Sequence, residues 1–92
     1  MEVKKLSVYD EFSSDDVVVF SNPSYEGAII GETTDGRAVY DYNRMVAWLV
    51  LTEDMLEDQA VEFIDFNTIG SLGDDDRKPI IVYPFESEYS DY

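Results

Sequence analysis

The residues best placed to do chemistry are carboxylates that recur at helical spacing between positions 53 and 65. They are Glu53, Asp54, Glu57, Asp58, Glu62 and Asp65. On a helix, side chains three and four residues apart stand roughly 5–6 Å from one another. A row of anions on a rigid element can imitate a phosphate backbone and meet the Lys and Arg side chains of a nucleic-acid-binding protein. The alternative interpretation is a solvated face of an acidic helix.

A second acidic run, Asp74-Asp75-Asp76, raises the question of a metal site, because Ca²⁺ and Mg²⁺ take clustered oxygen ligands. The run has neither the spacing of an EF-hand nor its closing Glu, and Arg77-Lys78 follows directly. The chain also contains no Cys and no His, which excludes thiolate and imidazole ligands. We therefore expect a solvated loop here, with no metal and no cofactor.

Enzymatic chemistry has little support in the sequence. Asp35 and Asp41, beside Tyr40 and Tyr42, could be drawn as an acid–base couple. Both aspartates have structural alternatives, as a turn residue and as a helix N-cap. Without His, Cys or a nucleophile motif, we expect a non-enzymatic protein. The two cations near this region, Arg37 and Arg44, are expected to pair with nearby carboxylates or to orient a partner.

The overall charge indicates the class of partner. Twenty-one Asp and Glu face six Lys and Arg, a formal net charge of −15. Direct binding to nucleic acid or to anionic lipid needs cations at the contact, so this balance argues against both and favours a basic protein. The opening segment lacks the apolar stretch of a signal peptide, and no apolar run approaches ~18 residues. We expect a cytoplasmic protein.

The elements that would position these residues begin with a β-hairpin. Residues 28–33 and 37–40 are apolar-rich runs joined through Asp35-Gly36, which is typical of a type I′ turn. A β-branched run, Val17–Phe20, predicts a short buried strand before the hairpin. A last strand is predicted over Ile80–Tyr83; since Pro84 cannot donate to a ladder, the strand should either lie at an edge of the sheet or end at once.

Two helices are predicted after the hairpin. Asp41 is a good N-cap for the first, with Tyr40 and Met45 at the positions of a hydrophobic staple. Residues 45–51 are apolar almost all round, so Trp48 is expected at the centre of the core. Thr52 is predicted to cap the second helix, with Leu51 and Leu56 as its staple. A single bent helix is the alternative, because no Gly separates the two.

These elements predict one α+β domain over residues 1–84: a small, mainly antiparallel sheet, made of the hairpin and flanking strands, with two consecutive helices packed on one face. Residues 85–92 are expected to form an acidic, aromatic tail, either a frayed terminus or a docking segment. The tail interleaves Phe85, Tyr89 and Tyr92 with Glu86, Glu88 and Asp91.

Three segments carry a resemblance to known proteins: DGRAVYDYNRMV, EDQAVEFIDFNTI and PIIVYPFE. Over about residues 17–86 the chain resembles a group of small acidic proteins encoded in phages and mobile elements of Gram-positive bacteria. That group has no established activity, so no functional residues are implied. The resemblance implies a mobile-element setting, in which small acidic proteins often inhibit host defences. The acidic segment 70–76 departs from the basic or Pro-containing link expected in that group.

The function expected from the sequence is therefore that of an acidic interaction protein. It would inhibit a host protein by covering its basic nucleic-acid-binding surface, as an anti-CRISPR protein or DNA mimic does, through the six carboxylates between positions 53 and 65. The first alternative is an antitoxin-like regulatory module that docks through an apolar surface. A more distant alternative is a metal-binding domain.

Overall fold

Three short strands and two helices follow one another in the order ββααβ in the computed structural model, which describes residues 8–85. The predicted α+β class is confirmed, and residues 41–67 form two helices, not a single bent one. The elements are β1 (Ile29–Glu32), β2 (Ala38–Asp41), α1 (Tyr42–Thr52), α2 (Glu57–Phe63, continued by a π-helical segment Ile64–Ile69) and β3 (Ile80–Val82). Single 3₁₀ turns lie at Val8–Glu11 and Glu26–Ala28.

The predicted hairpin is present, but its turn differs from the expected type. β1 and β2 pair antiparallel, with Ile30 as the extra residue of a bulge. The turn is closed by Gly36 N–H to Thr33 O at 3.0 Å and by Thr33 N–H to Arg37 O at 2.8 Å. Of the turn residues only Gly36 has a positive φ, 86°. A type I′ turn needs two, so this is a three-residue loop with a glycine bulge.

The sheet is mixed, whereas the sequence predicted a mainly antiparallel one. The strand order is β1-β2-β3, and β3 runs parallel to β2. The two strands are separated by α1 and α2, and a crossover through helices returns the chain in its original direction. β3 lies at an edge, as Pro84 indicated.

The beginning of α1 agrees with the sequence prediction. The Asp41 carboxylate accepts a hydrogen bond from the backbone N–H of Arg44 at 3.0 Å. This satisfies one of the first-turn donors that a helix leaves free. Tyr40 and Met45, the predicted staple pair, are both completely buried in the core. The hairpin and α1 are therefore joined by local contacts.

The junction of the two helices was predicted wrongly. Thr52 is the last residue of α1, and its hydroxyl donates to the Trp48 carbonyl at 2.7 Å. The second helix begins five residues later, at Glu57, after its N-cap Leu56, whose N–H donates to Gln59 Oε1 at 3.0 Å. Leu51 and Leu56 are exposed and form no buried staple. The hydroxyl of Thr52 bonds back to its own helix, which is the competing option for Ser and Thr near a helix end.

The core lies between the sheet, α1 and α2, and its largest completely buried side chains are Tyr25, Tyr40, Met45, Leu49 and Ile64. Trp48 is half-buried at its margin, so the prediction that places it at the centre is wrong. A Cβ built on Gly27 would stand 3.0 Å from Cε3 of the indole. The missing side chain of that glycine lets the ring pack against the chain.

The predicted strand Val17–Phe20 does not form in the described chain, where residues 17–20 are irregular. The Phe20 N–H donates to the Tyr40 hydroxyl at 3.0 Å and not to a neighbouring strand. Its ring packs against Tyr25 and Tyr40, with centroids 5.6 and 4.7 Å away. Farther along the chain, the buried hydroxyls of Tyr25 and Thr68 are hydrogen-bonded at 2.6 Å (Oη to Oγ1), which joins the stretch after Phe20 to the end of α2. Side-chain contacts thus replace the predicted strand pairing.

Candidate protein-interaction surface

Four of the six predicted carboxylates lie on α2 and its π-helical extension. Glu57 and Asp58 occupy the first turn, where the positive end of the helix dipole favours negative charge. Asp58, Glu62 and Asp65 follow at i, i+4 and i+7, which places them on one side of the helix. All four are exposed. Asp65 also accepts a hydrogen bond from the Tyr42 hydroxyl at 3.1 Å, which ties α2 to the first turn of α1.

The other two predicted carboxylates, Glu53 and Asp54, lie in the connection between the helices and not in the first turn of α2 as expected. Glu53 is the C-cap of α1, and Asp54 adopts a left-handed backbone with φ of 61°. Both are exposed. The C-terminal end of a helix carries partial negative charge, so Glu53 stands where an anion is unfavourable. No basic residue lies in the last turn of α1 to offset it.

Three of the four cations within residues 8–85 contact backbone carbonyls, whereas Arg37 and Arg44 were expected to pair with carboxylates or to orient a partner; the Arg44 side chain is exposed and makes no such carbonyl contact there. Arg37 Nε donates to the Lys78 carbonyl at 2.9 Å, and Lys78 Nζ donates to the Gly73 carbonyl at 3.0 Å. Arg77 Nη2 donates to the Asp16 carbonyl. Between positions 45 and 76 the sequence has no Lys or Arg. Within residues 8–85, the carboxylates between positions 53 and 65 have no ion-pair partner.

An apolar groove lies beside these carboxylates, between the outer side of α1 and the start of α2. Leu51 is 82% exposed and Leu56 67% exposed, and both line a groove of about 470 Å³. Met55 lines this groove and also a second, shallower one that contains Phe66, itself 77% exposed. The two depressions therefore adjoin, and they present apolar side chains next to acidic ones. The lining of the first groove includes Ala47, Val50, Leu51, Met55, Leu56 and Glu57.

Sequence reasoning missed this groove because it placed Leu51 and Leu56 in a buried staple. A signal was available in residues 45–51, which are apolar on every side of one helix. A chain of 92 residues builds only a thin core, which cannot cover a helix all round. Part of that apolar surface had to remain exposed.

The tyrosines and aspartates considered for acid–base chemistry have structural roles. Asp41 caps α1, and Asp35 accepts from the Thr33 hydroxyl, which lowers the pKa of its carboxyl. Burial raises the pKa of Tyr40 to about 12. Desolvation, aided by the hydrogen bond to Asp65, raises the pKa of Tyr42 to about 12 as well. None of these shifts brings a group towards neutral pH, where a general acid or base would work.

The acidic loop 74–76 is exposed and is ordered by local hydrogen bonds to the side chain and the carbonyl of Asp75. Asp75 Oδ1 accepts from the Arg77 N–H at 2.8 Å, and the Asp75 carbonyl accepts from the Lys78 N–H at 3.1 Å. In the described part of the chain, no three acidic side chains converge in a way that could hold a metal ion. Nor does any helix between residues 8 and 85 have the length and apolar character required to cross a membrane. In the predicted tail, Phe85 is exposed, and residues 86–92 lie outside the described range.

Comparisons with known proteins give no match: no family model fits this sequence, and no curated protein or solved structure is significantly similar.

Proposed function

We propose that this chain is a non-enzymatic interaction protein that binds a basic surface of another protein. The observation that supports this most directly is a contrast between charges: Arg37, Arg77 and Lys78 bind backbone carbonyls, whereas the exposed carboxylates on α2 and the preceding connection lack ion-pair partners within residues 8–85. Like charges at helical spacing lower stability by a few tenths of a kcal/mol per pair. A basic partner would relieve that repulsion and supply the missing cations.

The most concrete form of this proposal is inhibition of a nucleic-acid-binding protein. Lys and Arg side chains that meet phosphates can equally meet the carboxylates of Asp58, Glu62 and Asp65. The resemblance to small acidic proteins of phages and mobile elements supports an anti-defence role, such as that of an anti-CRISPR protein, in the host cytoplasm. The net charge of −15 argues against direct contact with nucleic acid or with anionic membranes.

The test is affinity capture from a Gram-positive host lysate, followed by titration of each purified captured protein. The decisive variant combines Glu57→Gln, Asp58→Asn, Glu62→Gln and Asp65→Asn, which keeps side-chain size and the hydrogen-bond acceptor for Tyr42. Its control combines Asp15→Asn, Asp74→Asn, Asp75→Asn and Asp76→Asn, which removes the same charge from other exposed positions. We expect the decisive variant to lose binding and the control to retain it.

Two further measurements separate charge mimicry from apolar docking. Binding through the carboxylates should weaken steeply with salt, since the Debye length is only ~10 Å at 0.1 M. It should also compete with duplex DNA for the captured protein. A flat salt response, together with full binding by the decisive variant, would contradict the proposal.

The runner-up is an antitoxin-like regulatory module that docks through an apolar surface. The observation in its favour is the groove between α1 and α2, in which Leu51 and Leu56 are exposed. It predicts weak salt dependence and sensitivity to changes of those two leucines.

A further inference from the structure

We propose that the groove between α1 and the start of α2 binds a short amphipathic helix of a basic protein. The apolar side of that helix would lie in the groove, and its Lys and Arg side chains would meet the carboxylates at the rim. The proposal rests on the proposed function for the positive charge of the partner. It adds the binding site and the form of the bound segment.

The shape of the groove suits a helix. Its lining includes Ala47, Val50 and Leu51, which lie at i, i+3 and i+4 on α1, together with Met55 and Leu56, which precede α2. Side chains at this spacing make a stripe along one side of a helix, and a partner helix can pack its own stripe beside it. With a rise of ~1.5 Å per residue, the exposed part of α1 offers room for about two turns of a bound helix.

The exposure of the leucines indicates an interaction surface and not a solvated helix side. Leu51 and Leu56 are 82% and 67% exposed and face the same groove. Burying a leucine side chain contributes about 1.5–3 kcal/mol relative to leaving it exposed. Two adjoining leucines therefore supply the kind of apolar anchor that dominates helix-in-groove binding.

Charge identifies the occupant as basic. Glu57 lines the groove, and Glu53 and Asp54 lie in the connection between the lining residues Leu51 and Met55. The negative end of the α1 dipole points to the same place, with no basic residue in the last turn. A second copy of this chain would bring the same acidic rim and be repelled. Nucleic acid would be repelled for the same reason.

A defined probe tests the groove with the full chain. The probe is a labelled peptide of leucine and lysine arranged with helical periodicity, and its control is a peptide of identical composition in scrambled order. Both peptides carry the same charge, but only the first, with its helical periodicity, can present an apolar stripe. By fluorescence anisotropy we expect the helical peptide to bind at least about tenfold more tightly than the scrambled one.

Two variants and one spectroscopic readout locate the binding. Leu51→Ser with Leu56→Ser should remove the tenfold preference, whereas Ile30→Ser, an exposed apolar residue of β1, should leave it intact. In protein labelled at methionine methyls, the peptide should shift the signal of Met55, which lines the groove. It should leave the completely buried Met45 nearly unchanged. The methyl measurement needs no variant, so it tests the proposal even where a substitution disturbs folding.

The contrary outcomes are distinct. Equal affinity for the two peptides would overturn the groove proposal and leave charge-driven binding intact. Failure of both peptides to bind at low salt would overturn the groove proposal and the proposed function together. Retention of the preference by the leucine double variant, or an unshifted Met55 signal, would place the site elsewhere. Self-association that the double variant abolishes would show that a second copy occupies the groove.

Discussion

The inner and outer sides of the helical pair follow different physical rules. On the inner side, Leu49 is completely buried, and the buried hydroxyls of Tyr25 and Thr68 are paired at 2.6 Å. On the outer side, two residues further along the same helix, Leu51 is 82% exposed, and the carboxylates nearby have no ion-pair partner among residues 8–85. The inner side thus accounts for stability. The outer side retains unfavourable features that a partner could relieve, which is what an interaction surface requires.

The test with the largest expected effect compares two leucines of α1, one on each side of the helix. Leu49→Ala should destabilise the fold by about 2–5 kcal/mol, because it leaves a cavity in a closely packed core. Leu51→Ala should change the free energy of unfolding by less than about 0.5 kcal/mol, as surface substitutions usually do. Urea denaturation of both variants measures the difference. Similar losses for the two would show that the outer side of α1 is covered after all.

The buried hydroxyl pair provides the second test. Tyr25→Phe leaves the Thr68 hydroxyl buried without its partner, which should cost about 1–3 kcal/mol. Adding Thr68→Val should recover most of that loss, because both polar groups are then gone. Tyr83→Phe, on an exposed ring, should have no effect. A double variant as unstable as the two single losses added together would mean that the hydrogen bond itself contributes little.

Some local interactions were predictable from the sequence, whereas the long-range pairing of β3 was not. The Asp41 cap joins groups three residues apart, so its geometry follows from residue types alone. Thr52 had two local options, to cap the next helix or to bond back to Trp48, and only the true end of α1 decides between them. The parallel pairing of β3 depends on contacts across the whole crossover, which no short window contains.

The candidate interaction surface also has one part that was predictable from the sequence and one part that was not. Exposure of its six carboxylates was predictable, since unpaired Asp and Glu are almost never fully buried. The groove was not, because an apolar residue is assigned to the core unless packing shows otherwise. Leu51 and Leu56 are the residues at which that assumption failed. The π-helical continuation of α2 over Ile64–Ile69 also escaped prediction; within it Thr68 is buried, while Asn67 is exposed.

The third test concerns the beginning of α1, where the inner side is anchored. Asp41→Ala should lower the free energy of unfolding by about 1 kcal/mol, because the Arg44 N–H loses its acceptor. Asp41→Asn should keep most of the stability, since its side-chain oxygen can accept the same hydrogen bond. Thermal denaturation of the two variants separates the cap from the charge. If both lose stability equally, the negative charge at the helix dipole matters more than the hydrogen bond.

The smallest expected effect distinguishes two glutamates on the outer side. Glu53 lies at the negative end of α1, and Glu57 lies in the first turn of α2 at the positive end of that helix. Glu53→Gln and Glu57→Gln remove the same net charge, so the general relief of repulsion is common to both. The difference between their free energies of unfolding isolates the effect of the local helix dipole, which contributes about 0.3–1 kcal/mol at an exposed site.

Glu53→Gln should therefore be the more stable of the two by a few tenths of a kcal/mol, in low-salt chemical denaturation. Added salt should shrink the difference, because both sites are exposed and screened. The two variants should also differ in their affinity for the leucine–lysine peptide if the lysines of the peptide contact the end of α1. The peptide should then bind Glu53→Gln more weakly, although that variant is the more stable of the two. A stability gain paired with a binding loss is the signature of a carboxylate kept for a partner. Equal stability and equal binding in the two variants would mean that the end of α1 has no special part in the surface.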